Sequence, residues 1–190
     1  MNTGAAFQEV SFVGNTAEIE GGALVFSSTH FGSTVFNVSF RDNSVSDGRG
    51  GAVSIITDNG NGVLLEDNQI QFSSCIFEDN LANTGGAIYL NDGNTIEFVG
   101  ATIVNNTASV GDGGAIGCND LNILGLSDSV IVDNYAALSG GAVSSNQENN
   151  FDFTDVVVAN NYANSIGGGI SLMDQSTIVF SGVNTISGNT

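Results

Sequence analysis

The sequence predicts an all-β fold, a right-handed parallel β-helix of about six to seven coils with ~27–28 residues in each. Three observations lead to this prediction: a composition poor in helix formers, a recurring Gly-Gly-Ala-apolar tetrapeptide, and an Asn that recurs shortly before each tetrapeptide. We expect residues 1–190 to form a single repeat domain. Solenoids normally carry polar caps, and none is evident here, which favours a fragment of a longer protein.

The composition excludes most helical folds. The chain has 26 Gly and no Pro, and 41% of its residues are hydrophobic, which is enough to bury a core. Good surface helix formers are scarce, whereas Gly, Asn, Ser, Thr and Val are abundant. Short β-branched runs separated by Gly and Asn are typical of strands joined by turns.

The tetrapeptide gives the clearest repeat, with spacings of 29, 35, 28, 27 and 27 residues. We assign its Gly pairs to turns, because Gly permits a positive φ or a close approach of two backbones. The small Ala that usually follows would face inward, where the coil narrows at a corner. The predicted turn glycines are Gly21, Gly22, Gly50, Gly51, Gly85, Gly86, Gly113, Gly114, Gly140, Gly141, Gly167 and Gly168.

An Asn stands before each pair, with Phe, Ile or Val three residues ahead of it. Asn tolerates a tight left-handed turn, and stacked Asn side chains can hydrogen-bond along a ladder. The period accommodates three short strands per coil, with the Asn at a corner. The predicted structural ladder is Asn15, Asn43, Asn80, Asn106, Asn134, Asn161 and Asn189.

The net charge of −18 excludes two classes of partner. Nucleic-acid binding needs clustered Lys and Arg, and an anionic membrane surface attracts basic segments. No apolar run is long enough to cross a bilayer as a helix. We therefore expect no nucleic-acid partner and no membrane insertion by this segment.

Candidate catalytic groups are few. The basic side chains are His30, Arg41 and Arg49, and we align Arg41 with the variable, solvent-facing positions Gly14 and Asp79. We predict no catalytic residue and no enzyme activity.

An acidic column offers the other candidate chemistry. Asp42, Asp79 and Asp133 each precede a ladder Asn, and like charges stacked in one column could share a proton or a cation. We interpret them as a solvated corner.

Metal-binding signals are weak. Gly111-Asp112-Gly113-Gly114 and Asp58-Asn59-Gly60-Asn61-Gly62 resemble pieces of calcium loops without a complete ligand pattern. We predict no metal site and no cofactor, with Ca²⁺ as a weak alternative. Cys75 and Cys118 fit free, buried thiols better than a disulfide, and no Cys/His cluster could hold zinc.

The second coil is about ten residues longer than the norm, and we place the excess between Thr57 and Gln69. Insertions in solenoids project as loops, often on the binding face. The candidate binding loop comprises Asp58, Asn59, Asn61, Glu66 and Asp67.

The paired motifs, such as Phe77-x-x-Asn80 with Gly85-Gly86-Ala87-Ile88, resemble the repeats of the chlamydial polymorphic outer membrane proteins. The resemblance extends from Phe7 to Thr190. It implies a β-helical, autotransporter-like passenger region at the cell surface or outside the cell, in the outer membrane of a bacterial source. Adhesion or host interaction is the usual role, with a protein or glycan ligand at a cell surface.

Three hypotheses follow. The first is a non-catalytic structural and interaction module, the β-helical shaft of a cell-surface or secreted adhesin-like protein. The second is a segment of a carbohydrate-active, pectin lyase-like β-helix enzyme. The third is a filament or spike component whose chains stack by end-to-end self-association.

Overall fold

The computed structural model describes residues 4–27, 31–57 and 68–190, and these residues form a parallel β-helix. Within them, six coils contribute four strands each and a seventh contributes two. None of the described residues lies in a helix, so none of them forms a helix that could cross a membrane. The predicted all-β parallel solenoid is confirmed.

The strands stack into four sheets, I to IV, in the order in which each coil passes through them. Sheet I contains β1 (Ala6–Gln8), β5 (Ser33–Phe36), β9 (Gln69–Ser73), β13 (Thr95–Val99), β17 (Ile123–Ser127), β21 (Asn150–Thr154) and β25 (Thr177–Ser181). Sheet II contains β2 (Ser11–Val13), β6 (Ser39–Arg41), β10 (Ile76–Glu78), β14 (Thr102–Val104), β18 (Val130–Val132), β22 (Val157–Ala159) and β26 (Thr185–Ser187). Sheet III contains β3 (Thr16–Ala17), β7 (Ser44–Val45), β11 (Leu81–Ala82), β15 (Thr107–Ala108), β19 (Tyr135–Ala136) and β23 (Tyr162–Ala163). Sheet IV contains β4 (Leu24–Ser27), β8 (Val53–Ile56), β12 (Ile88–Leu90), β16 (Ile116–Cys118), β20 (Val143–Ser145) and β24 (Ile170–Leu172).

Three strands per coil were expected, and the structure has four. The additional strand is that of sheet III, which has only two residues and follows the ladder Asn directly, as in Thr107–Ala108. It pairs in register with Leu81–Ala82 on one side and Tyr135–Ala136 on the other. Two residues are too few to show the alternation that marks a strand in a sequence.

Identical or similar side chains stack above one another inside the coils. The rings of Phe12, Phe40 and Phe77 are parallel, with centroids 5.0 and 4.8 Å apart. A second row, Phe72 and Phe98, stacks at 4.9 Å. Because parallel strands in register lie about 4.8 Å apart, flat rings fill the interior of successive coils without gaps.

The ladder asparagines form a continuous chain of amide hydrogen bonds through all seven coils. The Nδ2 of each side chain donates to the Oδ1 of the next, at 2.8 to 3.0 Å. Each Oδ1 also accepts the backbone N–H of the preceding Asn, as from Asn80 to Asn106 at 2.9 Å. Each of the later Nδ2 groups also donates to a carbonyl of the preceding coil, as from Asn106 to Phe77 O at 3.0 Å. The five inner members are 0–1% exposed, so the ladder supplies the buried hydrogen bonds of this corner.

A second Asn ladder, which the sequence reasoning missed, precedes sheet I. Nδ2 of Asn68, Asn94 and Asn122 donates to Oδ1 of Asn94, Asn122 and Asn149, at 2.8 to 3.0 Å. Ser176 continues it by accepting the N–H of Asn149 at 3.2 Å. The sequence signal is an Asn-x-apolar-x-apolar pattern, which begins only at the third coil and is therefore short.

The two glycines of each pair serve different purposes. The first has φ between 52° and 70°, the left-handed region. The second faces the next coil, and a Cβ on Gly86 would lie 2.2 Å from the carbonyl oxygen of Gly114. The same approach, at 2.1–2.2 Å, recurs at Gly22, Gly51, Gly114 and Gly141.

Gly86→Ala should destabilise the fold by more than about 3 kcal/mol, because backbone atoms of the next coil must move. Gly125→Ala is the matched control, since its Cβ would meet only Glu97 Cγ, at 3.7 Å, and Ile96 O, at 4.0 Å. We expect it to be neutral or stabilising by about 0.5 kcal/mol. Urea unfolding of both variants measures the difference, and equal midpoints would contradict the close approach of the coils.

Asn106→Ala should lower the free energy of unfolding by roughly 3–5 kcal/mol. It removes the acceptor of two Asn80 donors and the donor to Phe77 O, and each buried group left unpaired costs about 1–3 kcal/mol. The adjacent Asn105→Gly should change it by no more than about 0.5 kcal/mol, because Asn105 is exposed and Gly keeps its left-handed backbone. Similar losses in both variants would exclude the ladder as the cause.

Candidate functional site

The candidate binding loop, Asp58, Asn59, Asn61, Glu66 and Asp67, lies outside the described residues, as does His30. It therefore stays a prediction. The described residues that flank it are Thr57 and Asn68, both buried. The second coil, which is longer than the others, therefore returns to the shared repeat at Asn68, the first residue of the second Asn ladder.

The acidic column lies at a corner that requires a left-handed residue. Asp42, Asp79 and Asp133 have φ of 54°, 56° and 56°, and Gly14 and Asn105 occupy the same place in other coils with φ of 65° and 56°. Gly, Asn and Asp are the residues that adopt this conformation most readily. Asp79 Oδ1 accepts a hydrogen bond from Asn105 Nδ2 of the next coil. Backbone geometry thus explains the residue types in this column.

Arg41 lies one position away from the predicted alignment. It pairs with Val13 and Glu78 rather than with Gly14 and Asp79. Its Nη1 lies 2.6 Å from Glu78 Oε2 in a half-exposed salt bridge on the outer face of sheet II. The predicted alignment was wrong by one residue, since Val13, Arg41 and Glu78 each stand two positions before a ladder Asn. Its guanidinium is engaged in an intercoil ion pair.

The outer face of sheet IV is covered by the Gly-Gly turns. A Cβ on Gly85 would lie 3.1 Å from Tyr89 Cβ, and a Cβ on Gly113 would lie 2.7 Å from Gly117 Cα, so each turn folds back over its own strand. The outward middle residues are consequently buried on every strand of sheet IV after the first, with Ser54 0% and Tyr89 6% exposed, whereas Val25 on the first strand is 38% exposed. Most residues of this column are therefore small: Val25, Ser54, Tyr89, Gly117, Ser144 and Ser171.

A cleft of about 200 Å³ opens where the side chains of this column change abruptly in size, from Tyr89 to Gly117. Its floor is Gly117, which lies between the phenol of Tyr89 on one coil and Ser144 on the next. We call it the sheet IV cleft. Its lining is mostly polar: Arg49, Thr84, Tyr89, Asp112, Gly117, Cys118, Asn119, Ser144 and Asn146. The sequence reasoning missed it, although a Tyr followed by a Gly in a column of small residues was a usable signal.

Arg49 and Tyr89 form the polar centre of this cleft. Arg49 Cζ lies 4.8 Å from the centre of the Tyr89 ring, and Arg49 Nη1 donates to the Tyr89 hydroxyl at 3.1 Å. This is a cation–π contact reinforced by a hydrogen bond. Burial raises the pKa of the Tyr89 phenol to about 12, against the opposing effect of Arg49. The phenol is therefore protonated at physiological pH.

The amide and carboxylate groups on the cleft walls are held by neighbouring coils. Asn146 Nδ2 donates to Asn119 Oδ1 at 2.9 Å. Asp112 Oδ1 accepts the backbone N–H of Ser139 at 2.9 Å. These contacts fix the orientation of the side chains before any ligand arrives.

Two carboxylates flank a smaller notch of about 130 Å³ on the outer face of sheet I. Glu97, Gly125 and Asp152 are in register on three successive strands. Two strand steps separate the Cα atoms of the acids by about 9.5 Å. Gly125 leaves the space between them open, and Gln71 Nε2 donates to Glu97 Oε2 at 2.9 Å.

Both cysteines are free and buried. Burial raises the pKa of the Cys75 thiol and of the Cys118 thiol, which disfavours the nucleophilic thiolate. Cys118 faces the core beneath the sheet IV cleft. Among the described residues, no three His, Cys, Asp or Glu side chains are grouped to hold a metal ion.

The last described strands expose part of the core. Ile170, Leu172, Ile178, Phe180 and Ile186 line an open apolar pocket of about 440 Å³. The predicted end-to-end self-association would use a surface of this kind and stays a prediction.

Comparisons with known proteins agree with the repeat. Residues 74–91 match the Chlamydia polymorphic membrane protein (Chlamydia_PMP) repeat, and this segment contains Phe77, Asn80 and the Gly85–Gly86 pair. The chain is also 32% identical over 147 residues to the probable autotransporter YfaL of Escherichia coli (strain K12). That alignment covers 67% of this chain and 11% of the relative's length. No solved structure matches the chain significantly.

The resemblance seen in the sequence is thereby confirmed. The family match lies within one coil, β10 to β12, and the other coils repeat its Asn corner and its Gly pair in register. The chain is a parallel β-helix whose repeats resemble those of the Chlamydia polymorphic membrane proteins, and it is similar to a probable autotransporter.

Proposed function

We propose that the chain is a non-catalytic interaction module, the β-helical shaft of a cell-surface or secreted adhesin-like protein. The observation that carries this proposal is the continuous Asn ladder, which fixes every coil from Asn15 to Asn189 in one register. Such a shaft holds its outer side chains at a constant spacing along the axis. It can therefore present a ligand-binding surface without a mobile scaffold.

The outward residues in the middle of the sheet IV strands differ in chemistry from coil to coil. In sheet IV the inward residues Val53, Ile88 and Ile116 are all aliphatic, whereas the outward residues beside them are Ser54, Tyr89 and Gly117. Outward side chains can thus differ in chemistry from coil to coil while the inward residues beside them stay aliphatic.

The comparisons support a location and leave the ligand open. Similarity to a probable autotransporter supports exposure at the cell surface or secretion, in the outer membrane of a bacterial source. The chain spans only 11% of that relative's length. A protein or glycan ligand at a cell surface, the absence of nucleic-acid partners and independence of any cofactor, Ca²⁺ included, are parts of the proposal.

Beads coated with the folded chain should be retained on epithelial cell monolayers and on immobilised glycans more strongly than beads coated with Gly86→Ala. That variant has nearly the same surface chemistry and net charge, but its coils cannot stack at native spacing. Retention counted under flow measures adhesion. Equal retention of both beads and of albumin-coated beads would exclude a fold-dependent adhesin function.

A second candidate is carbohydrate cleavage at the sheet I notch. Glycoside hydrolysis with inversion uses two carboxyl groups about 6.5–9.5 Å apart, one as acid and one as base. Glu97 and Asp152, on either side of Gly125, have a backbone spacing near the upper end of that range.

We expect no turnover of polygalacturonate or of mixed plant and animal glycans, with Ca²⁺ or with EDTA. Reducing-end and unsaturated-uronate assays over long incubations detect hydrolysis and elimination respectively. Sustained cleavage that Glu97→Gln and Asp152→Asn abolish, and that Asp133→Asn does not, would replace the adhesin proposal with the enzymatic one.

A further inference from the structure

We propose that the sheet IV cleft binds a single hexuronic acid unit, a sugar ring that carries one carboxylate. The proposal rests on the interaction function above and names a ligand class for it. Three features of the cleft support this ligand. It has a cation that can bind the ligand's carboxylate, and it has fixed amide and carboxylate side chains that can bind the sugar hydroxyls. Its volume is limited.

The cation is Arg49. In a chain of net charge −18, Arg41 is paired with Glu78, but no carboxylate within the described residues forms a salt bridge with Arg49. Its one side-chain hydrogen bond there goes to the Tyr89 hydroxyl, and the Tyr89 ring holds the guanidinium over the cleft. A guanidinium has five N–H donors in a planar fork that matches a carboxylate. The Arg49 N–H donors that do not bond to Tyr89 are therefore available to a ligand.

The Tyr89 hydroxyl gives a second, independent indication of a ligand. Tyr89 as a whole is 6% exposed, it lines the cleft, and its hydroxyl accepts a hydrogen bond from Arg49. No acceptor for its own proton is found among the described residues. Buried polar groups in native proteins nearly always have their partners, so this donor points to an acceptor supplied from the cleft. A carboxylate bound to Arg49 would be such an acceptor.

The opposite walls supply groups that suit hydroxyls. Asp112 Oδ1 accepts the Ser139 N–H, which leaves the other carboxylate oxygen to accept a hydrogen bond from a sugar hydroxyl. Asn119 Oδ1 accepts from Asn146 Nδ2, and Asn119 Nδ2 donates to Asp92 Oδ1. Because an amide oxygen can accept twice and an NH₂ group can donate twice, both side chains keep hydrogen-bonding capacity for a ligand. Several fixed polar groups that converge on one cleft are typical of small-molecule sites.

The size of the cleft and its charge restrict the ligand further. A cleft of about 200 Å³ holds roughly six or seven water molecules, each occupying about 30 Å³ of liquid. That is room for one sugar ring. Asp112 in the lining and the acidic chain around it repel negative charge, so the one Arg of the cleft favours a singly charged carboxylate over a doubly charged phosphate.

Calorimetric titration of the full 190-residue chain tests the proposal, with glucuronate and galacturonate as probes. Glucose, acetate and inorganic phosphate are the comparison ligands. We expect the uronates to bind roughly tenfold or more tightly than glucose or acetate, because only they combine the carboxylate with the hydroxyls. Phosphate should also bind at least about tenfold more weakly.

Arg49→Gln should weaken uronate binding roughly tenfold or more, and Arg49→Lys should restore part of it because the charge remains without the planar fork. Arg41→Gln is the matched control, since it changes the net charge equally on another face. Asn146→Ala should weaken uronate binding and leave acetate binding unchanged. Thermal melting of each variant identifies any that fails to fold.

Four outcomes would overturn the proposal: no uronate binding at millimolar concentration, equal binding of glucose and galacturonate, equal binding of phosphate, or equal losses in Arg41→Gln and Arg49→Gln. If Arg49→Gln loses uronate binding but coated beads still adhere, the uronate site stands and adhesion depends on another surface. If uronates do not bind but beads adhere, only the ligand assignment fails.

Discussion

In-register stacking of parallel coils is the constraint on which the rest of this structure depends. An amide side chain both donates and accepts, so each ladder Asn satisfies its neighbours only if an equivalent group lies on the coils before and after it. The second Gly of each pair obeys the same constraint, because a Cβ at Gly86 would overlap the Gly114 carbonyl. The repeat in the sequence is therefore a direct consequence of hydrogen bonding and closest approach between coils.

Sequence reasoning predicted the features that repeat in every coil and missed those that do not. The Gly pair and the first Asn ladder recur at near-constant spacing, so their places in the coil could be read from the chain. The Asn68–Asn149 ladder begins only at the third coil, and sheet III strands have two residues, so neither gives a strong periodic signal. The sheet IV cleft depends on how the turn at Gly85 folds over Tyr89, a tertiary contact that local spacing cannot show.

The two arginines show that residue type alone does not predict what a surface side chain contacts. Arg41 and Arg49 are eight positions apart and both exposed, yet one forms an intercoil ion pair and the other a cation–π contact. A one-residue error in the alignment moved Arg41 to the wrong column, and alternation sends neighbouring strand residues to opposite faces. Surface chemistry on a solenoid is thus more sensitive to register than the core, where Val, Ile, Leu and Phe replace one another.

The amide hydrogen bonds of the two ladders all run in one direction. From Asn15 to Asn189, and from Asn68 to Asn149, the nitrogen of one side chain always meets the oxygen of the following one. The individual amide dipoles therefore add along the axis, as the peptide dipoles of an α-helix do. The oxygen ends of both ladders are directed toward the first coil, so the ladders add an axial dipole to the field of the net charge of −18 and make the two ends of the shaft electrically different.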